Sequence, residues 1–177
     1  MTEKNDTSML TEKYIFRNIR QEEIAQTSEI EKICFPPNEA CSYEHMEDRV
    51  KKAPELFLVA EDCATGKIAG FLNGLATDRE HLTDDFFTDA EMHDPKGKNI
   101  MLLGLDVLPK YQHQGLAREL VRCYKEREKV NGREKLILTC LPDKVEMYQK
   151  FGFKDHGIGD SVWGGEAWHE MSVELWG

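Results

Sequence analysis

The sequence lacks any long apolar run. Its most hydrophobic stretches, residues 56–60 (LFLVA) and 100–103 (IMLL), fall far short of the roughly 18 to 20 residues that cross a bilayer, which argues against a membrane partner. The opening MTEKNDTSML has no basic patch followed by an apolar segment, so no secretory or transit peptide is expected and the reading is cytoplasmic. Cysteine pairing is missing as well. Cys34, Cys41, Cys63, Cys123 and Cys140 are odd in number, widely spaced and without a CxxC, which excludes a disulfide framework and a zinc knuckle; free thiols and no metal are expected. Positive charge is scarce: 23 Lys and Arg stand against 33 Asp and Glu, a net charge of −10 that would repel a phosphate backbone. Nucleic acid is therefore excluded as a partner, and a cationic substrate suits the field better. The nucleotide motifs GxxxxGK[ST] and GxGxxG are absent, so ATP and NAD have no sequence support. There is no internal repeat, low-complexity stretch or interior linker.

What is present suits one folded unit. A chain of 177 residues with 40% hydrophobic and 32% charged residues can bury about 70% of the surface that its unfolded form exposes. Residues 1–11 read as a loose tail and residues 12–177 as a single domain. Tyr14, Phe16 and Ile19 mark a short strand; Ile24, Ile30, Ile33 and Cys34 recur at helical spacing until Pro36 and Pro37 stop the chain. Ser42, imperfectly placed as a cap, opens a second helix that ends at Ala53–Pro54. Residues 56–61 and 67–76 flank a polar turn and predict an antiparallel hairpin. Residues 77–98 are polar and irregular, long enough for a loop that covers a substrate. Residues 99–108 (NIMLLGLDVL) predict a buried central strand, then a helix to Val130, a strand at 135–140, a shorter helix ending at Gly152, and a last strand at 168–176, expected at the sheet edge.

The most informative segment is LDVLPKYQHQGLARELV, residues 105–121, in which a buried strand passes through a short turn into a helix. Free amides at a helix start attract phosphate. Gly115 and Ala117 keep side chains out of the way, so Gln112, His113, Gln114, Gly115, Leu116, Ala117 and Arg118 offer a row of N–H donors to a diphosphate. Here the chain resembles the GNAT N-acetyltransferase family, whose acetyl-coenzyme A motif Q/RxxGxG/A matches Gln112, Gly115 and Ala117. The resemblance runs from about Tyr14 onward. CFPPNEA from Cys34, RVKKAPELFLVAE from Arg49 and YQKFGF from Tyr148 are similar to the arylalkylamine N-acetyltransferase branch in particular.

The resemblance implies a mixed α/β (α+β) fold of the GNAT acyl-CoA N-acyltransferase type, with a mostly antiparallel central sheet flanked by helices on both faces. It implies acetyl-CoA as cosubstrate and direct acetyl transfer to a small primary amine, arylalkylamine or polyamine-like, in a ternary complex. Leu105 and Val107 would hold the pantetheine arm by their backbone, Tyr148 would protonate the departing thiolate, and a homodimer would be the assembly. The branch's catalytic histidines are replaced by Met101 and Leu103. The base is then His93 or Asp106 reaching in from elsewhere, or the substrate supplies its own small neutral fraction. His81, His169 and Glu170 are weaker candidates for the site. Phe35, Tyr43, Trp163 and Trp168 are candidates for an aromatic acceptor pocket. Two other functions compete: a coenzyme-binding module without turnover, and a protein or peptide N-acetyltransferase.

Overall fold

The computed structural model describes residues 9–176. The expected tail falls outside the described residues for positions 1–8; residues 9–13 are helical and Leu10 is buried, so the ordered chain begins earlier than residue 12. Seven strands form one sheet: β1 (Tyr14–Asn18), β2 (Phe57–Asp62), β3 (Ile68–Thr77), β4 (Asn99–Val107), β5 (Lys135–Cys140), β6 (Lys154–Ile158) and β7 (His169–Glu174). Their order is β1-β2-β3-β4-β5-β7-β6, antiparallel throughout except for the β4–β5 pair. The helices are α1 (Ile24–Cys34), α2 (Tyr43–Lys52), the single turn α3 (Asp85–Thr88), α4 (Leu116–Val130) and α5 (Val145–Lys150).

Alternation along the strands assigns their two faces. Phe57, Val59, Ile68 and Phe71 join Ile24, Ile30, Met46 and Val50 of α1 and α2 in one cluster. Leu58, Ala60, Leu72 and Ile100 join Leu116, Leu120, Val121 and Tyr124 of α4 in another. Helices therefore cover both faces, as expected. β3 is buried along its whole length because it lies between the two layers. Ser42 does cap α2: its side chain accepts the His45 N–H at 3.1 Å.

Three readings need correction. β6 has the sequence KDHGI, without an apolar face, and is a strand only because it pairs with β7. β7 consequently lies between β5 and β6 and is not the edge strand expected of residues 168–176. The polar segment 77–98 is packed: Phe86 is buried, and an Asp94 N–H bond to Ala76 O and an Arg133 bond to Gly97 O tie it down.

Candidate functional site

The site begins where two strands part. β4 and β5 pair in register only at Asn99–Lys135, Ile100–Leu136 and Met101–Ile137. Beyond these, β4 stays with β3, where a bulge at Leu103 shifts the register between Asn73–Gly104 and Gly74–Leu102. A cleft of about 910 Å³ opens in the fork, lined by Leu102–Leu105 and Val107 on one side and Leu138–Leu141 on the other. A β4 edge without a partner strand leaves backbone donors and acceptors for a ligand to satisfy.

One end of the cleft is the turn into α4. His113 has φ 61° and Gly115 φ 82°, so the chain passes twice through the left-handed region within three residues and curves its amides inward. The Glu119 amide bonds to Gly115 O at 3.1 Å, which places the preceding amides in the first turn of α4, ahead of the regular intrahelical ladder. His113, Gly115, Leu116, Ala117 and Arg118 line the cleft. Gln112 also lines it, but its side chain donates to Val107 O at 2.9 Å and so braces the turn. Val107 O also accepts from Cys34 Sγ, which leaves that carbonyl already engaged. Gln114 turns away, accepting from Tyr14 Oη at 3.3 Å. Lys144 and Lys150, at the two ends of α5, also line the cleft, which thus carries cations as well as amides for an anion.

Midway, α5 presents Tyr148. Its ring is held edge-on by Phe151 (6.0 Å) and Phe153 (5.7 Å), which explains the YQKFGF spacing. The residue is half-buried and lines the cleft, and its hydroxyl has no hydrogen-bond partner among the described residues. Burial, then Cys140 and Asp106, hold the phenol protonated well above its ordinary range. Cys140, buried at the end of β5, has its thiol pushed up to about 12 by burial.

The far end is aromatic. Phe35, Phe87, Trp163 and Trp168 line it, with Phe87 and Trp163 stacked at 5.0 Å. Both indole N–H groups are pinned to backbone carbonyls, Trp163 to Glu39 O and Trp168 to Trp163 O, each at 2.8 Å, which fixes the rings as walls. Glu31 and Arg49 also line this end, and neither stands out in the sequence as a site residue. Asp106 lies fully buried beneath them.

Several expected residues are elsewhere. His93 is outside the cleft: Nδ1 accepts the Ala76 N–H at 3.0 Å and Nε2 meets Glu55 at 2.8 Å, so both nitrogens brace the 77–98 segment. His93→Ala is accordingly expected to lower the thermal unfolding midpoint without altering the pH profile of turnover; calorimetry and kinetics check the two halves separately. Tyr43 sits in the first turn of α2 with 46% of its surface exposed, outside the cleft. His169 pairs with Asp155 outside the cleft, and Glu170 pairs with His81 at a separate small depression. Among the described residues no cluster of His, Cys, Asp or Glu could hold a metal ion, and no helix is long and apolar enough to cross a membrane.

Known proteins share this architecture. YhcX of Bacillus subtilis (strain 168), described as a probable hydrolase, is 27% identical over 158 residues; the match covers 85% of this chain but only 30% of that protein's length. The loading GNATL domain of CurA from Lyngbya majuscula superposes with a TM-score of 0.78 at 18% identity, covering 92% of this chain and 98% of that one. YncA of Salmonella typhimurium, solved with acetyl-CoA, superposes with a TM-score of 0.63 at 15% identity, covering 92% and 94%. At such identities these structures speak for the fold alone. The family model described as Acetyltransferase (GNAT) family matches residues 23–153, from the start of α1 through the forked strands and the α4 turn to Tyr148, and the chain therefore belongs to the GNAT acetyltransferase family.

Proposed function

We propose that this protein transfers an acetyl group from acetyl-CoA to a primary amine, an arylalkylamine or polyamine-like acceptor, by direct attack with both substrates bound. One observation carries the reading: the left-handed amide turn at 113–118, the β4–β5 fork and the free Tyr148 hydroxyl lie along one continuous cleft. Residues fit each part of the coenzyme. The turn and Arg118 suit a diphosphate, the open edge of β4 suits an amide-bearing arm, and the fork ends at a phenol able to give a proton to a thiolate. The acetyl-CoA bound to YncA supports the cosubstrate. The four aromatic rings at the far end support an acceptor with an apolar or aromatic body, and Glu31 and Glu39 beside them support a cationic head.

The test is release of free thiol from acetyl-CoA with phenethylamine, spermidine, free amino acids and short peptides. Turnover is expected with the first two and little with peptides, because the aromatic end is walled by Trp163 and Trp168. Coenzyme binding with no turnover on any amine would instead make the chain a binding module.

A further inference from the structure

Two carboxyl groups meet at the acceptor end of the cleft with no base beside either. Glu31, on α1, is 4% exposed; Oε2 accepts the Cys41 N–H at 3.0 Å, whereas Oε1 has no partner among the described residues. Asp106, on β4, is fully buried, and neither of its oxygens has a partner among the described residues. They converge on Gly104. A Cβ placed there would stand 3.2 Å from Asp106 Oδ1, 3.6 Å from Glu31 Oε1 and 3.1 Å from Asn73 Nδ2. Gly104 and Glu31 line the cleft, and the missing side chain leaves a notch over Glu31 Oε1, an oxygen that is itself closed off from solvent, so an ammonium must enter the notch to reach it.

Two adjacent carboxyls in a dry site do not both ionise. A proton kept on the Asp106 carboxyl gives that orphaned group a bond to offer toward Glu31. Burial first, and Glu31 second, hold the Asp106 carboxyl well above its ordinary range. The groups around the pair agree with a single negative charge on it. Arg49 of α2, 3% exposed, is the cation: it donates to Phe87 O at 2.9 Å and Asn73 Oδ1 at 3.5 Å and reaches no carboxylate among the described residues. The thiols of Cys34 on α1 and of Cys41 are pushed up to about 11 and about 12 by burial and stay neutral, as does Tyr148 of α5. One carboxylate and Arg49 thus balance.

We propose that Glu31 is the proton acceptor for the incoming amine, and that Asp106, through the proton it shares with Glu31, sets the pH at which Glu31 can act. This rests on the acetyl-transfer reading above. An alkyl ammonium with a pKa near that of lysine is neutral in only about one molecule in 2,500 at pH 7, so a base has much to supply. In the notch, one N–H bond of the ammonium breaks and an O–H bond forms at Glu31 Oε1. The electron pair stays on nitrogen for attack, the carboxyl pair goes from one negative charge to none, and water later takes the proton. Glu31 touches the substrate; Asp106 is a positioning residue.

The experiment follows thiol release with phenethylamine and spermidine from pH 6 to 10 in the wild type, Glu31→Gln and Asp106→Asn, beside coenzyme A calorimetry and a ¹³C carboxyl titration of the same full chains. Glutamine can still accept the Cys41 N–H, which protects the fold. The wild type is expected to show a plateau in kcat/KM below the amine's own pKa. Glu31→Gln should lose roughly 10² to 10³-fold near pH 7 and gain a slope of about tenfold per pH unit. Asp106→Asn should keep a plateau whose acid limb lies at higher pH, because the shared proton that favours ionised Glu31 is lost, a displacement that a purely structural residue would not cause. Coenzyme A affinity should not change in either variant. In the titration, one carboxyl of the wild type should stay protonated above pH 7 and disappear in Asp106→Asn. The proposal is overturned if both carboxyls titrate below about pH 5, if Glu31→Gln keeps the wild-type profile, or if the wild type binds coenzyme A yet acetylates neither amine. Failure of the wild type to bind coenzyme A would instead overturn the reading beneath it.

Discussion

Tyr148→Phe is expected to lower kcat by roughly 10² to 10⁴-fold while the KM for acetyl-CoA barely moves, the signature of losing one positioned acid that acts only in the transition state. The substitution is clean because the hydroxyl has no partner among the described residues and the ring keeps its edge-on contacts with Phe151 and Phe153. Stability should change by no more than about 0.5 kcal/mol. Burial raises the phenol, which means the neutral, proton-bearing form is populated throughout the working range, and no alkaline fall in rate from Tyr148 is expected below about pH 10. A less acidic phenol would be a poorer donor to a thiolate in water. The leaving thiolate, however, would depart into the same dry cleft, where Cys140 is pushed up to about 12, so donor and acceptor rise together. Full activity in the variant would return Tyr148 to a packing role.

The second large effect is at the turn. Gly115→Glu is expected to weaken coenzyme A binding by about 10³-fold, since a unit negative charge about 4 Å from the diphosphate costs roughly 4 kcal/mol at an effective dielectric of about 20. Gly115 has φ 82°, so any side chain there adds strain of about 1 to 2 kcal/mol. Space is not the obstacle: a Cβ would meet only Leu10 Cδ1, at 3.9 Å. Gly115→Ala carries the same strain without the charge, and calorimetry on both variants separates the two causes. Equal affinities in the two would place the diphosphate elsewhere.

Local patterns made the strands, the helices and the amide turn readable, because alternation, helical spacing and the strand–turn–helix order at residues 105–121 are properties of neighbouring residues. YQKFGF was readable for the same reason, its three rings packing within one short turn. Glu31 was not. A carboxylate on a helix ordinarily faces water, and only the packing of α1 against β4 brings this one to Gly104 and Asp106. Arg49 was hidden likewise on the inward face of α2. His93 misled in the opposite sense: a histidine in a polar loop looks available, yet its ring is consumed by Ala76 and Glu55. Tyr43 shares an aromatic identity with Trp163 and Trp168 but points out from its helix. β6 carries no alternation of its own and could be found only from its partner.

The central claim, that one cleft from the α4 turn through the β4–β5 fork holds acetyl-CoA, is tested most directly by following backbone amide resonances as acetyl-CoA is added. The expected result is saturable shifts concentrated at residues 113–118, at Leu103–Val107 and at Leu138–Leu141, with the depression around His81, His156 and Glu170 unaffected. Shifts confined to that depression, or none at millimolar acetyl-CoA, would contradict it.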